Sequence, residues 1–187
     1  MKEQDFIDKY FDDYGKTVFQ EGVSRDIIAA KEAFLKCRHD GKKAIFAGNG
    51  ASASISGHAA TDFTKQAGVR SVCFSDPALL TAFANDYGYE HWVEKALEFY
   101  ADKGDLIVLI SSSGKSPNMV NAAKQAKERG HFLITLTGFS EENPLKALGD
   151  INFWARSGSY NIVESTHMFW LMTVCDLIIG KAEYSVS

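Results

Sequence analysis

Apolar positions follow two kinds of pattern, and the change falls near residue 41. Between residues 3 and 40, Phe6, Ile7, Tyr10, Phe11, Tyr14 and Val18 recur at three- and four-residue steps, and Ile27, Ile28, Ala30, Phe34 and Leu35 follow. That spacing gathers each set on one face of a helix. It predicts two helices parted at Gly22, the second ending at Gly41. An aromatic-rich helix ahead of an α/β unit packs against another subunit or covers its own sheet, and the spacing fits both.

From residue 42 short apolar runs alternate with helical patterns. Lys43–Ala47, Ser71–Phe74, Leu106–Ile110, His131–Leu136 and Ile151–Trp154 have the length of strands. Helical spacing covers about 53–67, 78–84, a stretch ending near 102, 119–129 and 162–181, with a turn at 85–89. This alternation predicts an α/β fold, a doubly wound five-stranded parallel sheet flanked by helices. The 187 residues suffice for one domain with a full core. Residues 42–187 would form that domain, with the helical segment 1–41 ahead of it. Leu106 to Ile110, five apolar residues in a row, read as a strand buried on both faces.

Polar chemistry follows that strand at once, as Ser111, Ser112, Ser113, Gly114 and Ser116. Pro117 suits the first turn of a helix and Ser116 its N-cap. Backbone N–H groups, hydroxyls and the positive end of a helix then converge on one point, which suits a phosphate above all. A serine-rich turn with a capped helix is the plainer alternative, but four serines exceed what a cap needs. Gly48-Asn-Gly-Ala-Ser52, after the first strand, lets backbone approach a ligand closely. Position 53 is alanine where a dinucleotide fingerprint needs glycine, and a P-loop lysine is missing, so nucleotide readings are weak. The two loops together would wall a sugar-phosphate pocket.

Composition narrows the partners. Hydrophobic residues make up 45% and charged residues 24%, an ordinary globular profile. Net charge is −4 with no basic run, which argues against a nucleic-acid surface. No apolar run approaches a membrane span and the first residues lack a signal-peptide core. Three cysteines without CxxC spacing read as reduced thiols of a cytoplasmic protein.

Gly48–Ser52, Asn85-Asp-Tyr-Gly-Tyr89, Ile110-Ser-Ser-Ser-Gly-Lys-Ser-Pro-Asn118 and Thr135-Leu-Thr-Gly138 stand in one family's order and spacing. Over about residues 40 to 180 the chain resembles the sedoheptulose-7-phosphate (phosphoheptose) isomerases, single sugar isomerase (SIS) domains. The resemblance implies a homotetramer with active sites between subunits. It implies that Ser52, Ser111, Ser112, Ser113 and Ser116 hold phosphate, with Asn49 and Asp86 near the sugar.

The chain departs from the family where the chemistry is done. The family's His-x-x-x-Glu, whose Glu is the general base, is here His58-Ala-Ala-Thr-Asp62. Its Gln and its catalytic His, eight residues apart on the last helix, fall on Val163 and Leu171 when anchored on Glu164. The resemblance implies a zinc ion, but two of its ligand positions are lost with them, so no metal or other cofactor is expected here. Glu164 with His167, three apart, and His58 with Asp62, four apart, are the replacement acid/base pairs. For each the mundane role is a cap, a packed histidine or a solvated carboxylate. An aldose–ketose isomerase of a phosphorylated sugar is the first reading. A non-catalytic protein that senses a sugar phosphate or binds a protein partner is the alternative.

Overall fold

The computed structural model describes residues 2–183. Strands β1 (Ala44–Gly48), β2 (Ser71–Cys73), β3 (Leu106–Ser111), β4 (Phe132–Thr137) and β5 (Ile151–Trp154) form one parallel sheet in the order β2-β1-β3-β4-β5. Register pairs Gly48 with Ile110 and Ser111 with Thr137, so the ends of β1, β3 and β4 lie side by side. The helices are α1 (Glu3–Val18), α2 (Val23–His39), α3 (Ala51–Lys65), α4 (Pro77–Tyr87), α5 (Trp92–Tyr100), α6 (Pro117–Glu128) and α7 (Tyr160–Ile179).

Successive strand residues point to opposite faces, and each face has its own core. Phe46, Val108, Ile110, Leu136 and Phe153 pack under α2, α3 and α7. Ile45, Ile107, Leu109 and Leu133 pack under α5 and α6. Phe34 of α2 stacks on Phe46 of β1 with ring centroids 6.0 Å apart and packs tilted against Phe63 of α3 at 4.2 Å, so α2 covers its own sheet. α1 leans on α7, where Trp170 Nε1 donates to the Val18 carbonyl at 2.9 Å. In the single chain the α1 stripe divides: Val18 is buried, Tyr10 and Tyr14 are half-buried, and Phe6 and Phe11 are 55% and 67% exposed.

Two expectations are corrected. The turn expected at 85–89 is helical as far as Tyr87. Asp76 caps α4 by accepting from Leu79 N at 2.9 Å, Pro77 opens it, and Gly88 at φ +88° ends it. α7 has the length and composition of a membrane span although no uninterrupted apolar run predicts one. Its buried side, including Val163, Trp170, Leu171, Val174 and Cys175, lies in the core of the sheet.

Strand order reverses between β1 and β3, since β1 leads outward to β2 and β3 leads the other way to β4. Open α/β sheets bind ligands in the crevice at such a switch point, beyond the carboxyl ends of the strands.

Candidate functional site

That crevice holds a cavity of about 130 Å³ lined by Asn49, Ser52, Ile110, Ser111, Ser112, Ser113, Ser116, Tyr160 and Glu164. A larger apolar cavity of about 460 Å³ lies at the opposite ends of the strands, against α2, and gathers no comparable set of donors.

Local backbone explains how the serines meet. Gly48 must be glycine because a Cβ there would lie 2.7 Å from the Ser52 backbone, and Gly50 turns at φ +56° into α3. Gly114 takes φ +64°, and a Cβ there would fall 2.0 Å from Asn143 Oδ1. The buried Asn143 sits behind the loop, and Leu145 N donates to the Gly114 carbonyl at 3.1 Å. Gly138 N donates to the Ser112 carbonyl at 2.9 Å, holding the loop to the end of β4.

The hydroxyls are turned inward. Ser116 is the N-cap residue of α6, as expected, but its side chain makes no cap bond. Its Oγ lies 3.2 Å from Ser111 Oγ instead. Ser112 Oγ donates to Glu164 Oε1 at 3.3 Å, and Lys115 N donates to Ser113 Oγ at 3.2 Å. Among the described residues the backbone N–H groups of Ser113 and Ser116 have no protein partner. The N-termini of α3, α6 and α7 all open on the cavity through Ser52, Ser116 and Tyr160, so three helix dipoles add positive potential. No Lys or Arg lines the cavity, and Glu164 is its one carboxylate. The arrangement is a cradle of neutral donors for one anionic group, with a proton acceptor at its edge.

The other predicted residues lie elsewhere. His167 is fully buried, and its Nε2 donates to the Thr137 carbonyl at 2.9 Å. Burial lowers its pKa to about 4. It is a core histidine and not a partner for Glu164 in proton transfer. His58 and Asp62 pair at 3.5 Å on later turns of α3. They are six and ten residues past Ser52, roughly 9 and 15 Å along the axis, and neither lines the cavity. Asp62 sits by the far half of α7: burial and then the Asp62 charge raise the Asp176 pKa. Asp86, exposed at the end of α4, accepts from Asn85 Nδ2 at 2.9 Å and does not line the cavity.

Three contributors escaped the sequence reading. Tyr160 stands at the cavity mouth, its ring edge-on to Phe139 with centroids 4.7 Å apart. Asn118, 1% exposed, exchanges two amide hydrogen bonds with Asn49, at 3.0 and 2.9 Å. Tyr89 OH donates to Asn49 Oδ1 at 3.1 Å. Asn118 closes the serine motif and Tyr89 closes the 85–89 motif, so both offered a signal by position; Tyr160 offered none.

The residues present do not fit the zinc ion that the resemblance implies. Val163 and Leu171 are 0% and 1% exposed and carry no donor atom, and Val163 methyls pack against Gly138. Among the described residues no three His, Cys, Asp or Glu side chains gather as a metal site.

Known proteins share this architecture. The family model described as SIS domain matches residues 9–138, more than half the chain. The phosphoheptose isomerase of Aliarcobacter butzleri is 32% identical over 170 residues, covering 88% of this chain and 89% of its own. A phosphoheptose isomerase structure from Neisseria gonorrhoeae superposes with a TM-score of 0.85 at 28% identity, over 96% of this chain and 100% of that one. One from Francisella tularensis gives a TM-score of 0.88 at 24% identity, over 97% and 100%, a likeness of fold.

Proposed function

Because the chain belongs to the SIS domain family, we propose that it binds a phosphorylated sugar and isomerises it between aldose and ketose forms. The observation that carries this reading is Glu164 beside Ser112, a carboxylate against a cradle of five serine hydroxyls. The serines and the three helix N-termini hold the phosphate. Asn49 lies where it can bond a sugar oxygen. Glu164 takes the proton from the carbon next to the carbonyl, which leaves an enediolate, and returns it to the neighbouring carbon, while the hydroxyl proton passes between the two enediolate oxygens so that the old carbonyl ends as a hydroxyl. No step passes through a metal. The relatives' name makes a heptose phosphate the first ligand to try.

The exposed Phe6 and Phe11 support assembly of copies, and the family resemblance suggests a tetramer. In such an assembly a neighbouring copy would decide whether His58, Asp62 or Asp86 meets a ligand. Free Cys37, Cys73 and Cys175 suit a reducing, cytoplasmic compartment.

Exchange of the sugar C2 proton in heavy water, followed by NMR over a panel of ketose and aldose phosphates, tests the reaction. Exchange that persists in excess chelator supports a metal-free route, and exchange lost to chelator refutes it. A second reading, sensing without turnover, is favoured by Val163 and Leu171 where the family carries Gln and His. Tight binding of a sugar phosphate with no exchange would select it.

A further inference from the structure

We propose that Tyr89 is a positioning residue that fixes Asn49 as a hydrogen-bond donor and so sets which sugar the site accepts. The inference rests on the phosphosugar reading of the cavity. The segment 85–89 meets the site through Tyr89 and not through Asp86. Asn49 Oδ1 accepts from Asn118 Nδ2 at 2.9 Å and from Tyr89 OH at 3.1 Å. An amide oxygen has two lone pairs, so this one is saturated. Asn49 Nδ2 spends one hydrogen on Asn118 Oδ1 at 3.0 Å, which leaves one N–H for a ligand.

Asn118 is buried at the start of α6, directly behind the serine loop, and anchors the pair. Tyr89 is 50% exposed and outside the cavity, so it acts on a ligand only through Asn49. A donor-only Asn49 favours a carbonyl oxygen, which can only accept, over a hydroxyl in the same place. Without the tyrosine hydroxyl a lone pair opens on Oδ1, and a donating hydroxyl becomes equally welcome.

Calorimetry on the full chain tests this with inorganic phosphate, with the tightest-binding sugar phosphate of the panel, and with its borohydride-reduced alditol phosphate. Tyr89→Phe should weaken the sugar phosphate about three- to tenfold. It should also narrow the preference over the alditol, and move inorganic phosphate by less than about twofold. In an Asn49→Ala background the same change should have no further effect, because the two residues act as one unit. Equal losses for phosphate and sugar phosphate, the same loss with and without Asn49, or no loss would each overturn the assignment. Thermal unfolding of Tyr89→Phe should match the wild type, which separates positioning from folding. Wild-type protein that binds neither phosphate nor any sugar phosphate would overturn the reading of the cavity, and this inference with it.

Discussion

Ser112 and Glu164 meet hydroxyl to carboxylate, 3.3 Å apart, joining the loop after β3 to the second turn of α7. The proton acceptor is thus held beside the anion cradle. Glu164→Gln keeps the shape and the hydrogen-bond acceptor but removes the base and its charge. Carbon-bound proton exchange should fall at least about a hundredfold. Affinity for the sugar phosphate should hold or tighten, since a carboxylate no longer repels the phosphate. Exchange at the wild-type rate would remove Glu164 from the mechanism.

Ser52 Oγ faces the cavity and has no protein partner among the described hydrogen bonds, so Ser52→Ala deletes a ligand contact without rearranging the fold. A charge-assisted bond of ~1.5–3 kcal/mol corresponds to about ten- to 150-fold in affinity. Ser113→Ala should weaken binding too, through the hydroxyl it removes from the cavity wall. Calorimetry with sugar phosphates reads both, and unchanged affinity in both variants would take the serine cradle out of the account.

Gly114 is irreplaceable on two counts, its positive φ and the Asn143 side chain behind it. Gly114→Ala should lower stability by more than about 1 kcal/mol and abolish phosphate binding. Gly158→Ala, where a Cβ meets nothing within 4 Å, is the control and should unfold at the wild-type denaturant midpoint. Equal midpoints for all three proteins would mean that the loop readily adapts.

His167 makes stability depend on acid. Its pKa is about 4 in the fold against an ordinary 6.5, so the unfolded chain binds the extra proton between those values. The contribution is intact above about pH 6.5 and is lost as pH falls towards 4, by up to about 3 kcal/mol. Urea unfolding at pH 7.5 and 4.5 should show the loss, and His167→Gln should flatten the difference. Equal slopes in both proteins would place the acid sensitivity elsewhere.

Phe11, 67% exposed on the α1 stripe, should be covered in an assembly of copies. Phe11→Asp should lower the mass seen by light scattering at micromolar concentration. A wild-type monomer would refute the interface.

The sheet and its two chemical loops were legible in the sequence because uninterrupted apolar runs and glycine-serine clusters are local signals. β3 and Ser111 to Ser116 needed nothing beyond their own order. His167 misled because a three-residue step turns about 60° short of a full circle. Glu164 reaches the cavity while His167 turns into the core onto Thr137. Asp62 lies outside the single-chain cavity for a different reason: spacing shows that it shares a face with His58 but not which turn of α3 meets that cavity. The Asn49–Asn118 pair joins residues 69 apart, and pattern along the chain carries no record of such a meeting.

A cavity without Lys or Arg also shapes the kinetics of encounter. The chain carries a net charge of −4, and the dipoles that attract a phosphate act over the last few ångströms only. At long range a dianion is repelled, so added salt should speed its association where it would slow arrival at a basic site. Once docked, the dianion bonds to neutral groups that salt screens little, and its departure rate should barely change. Capture is therefore weakest in dilute buffer, and the ionic strength of a cell is the condition that opens the approach.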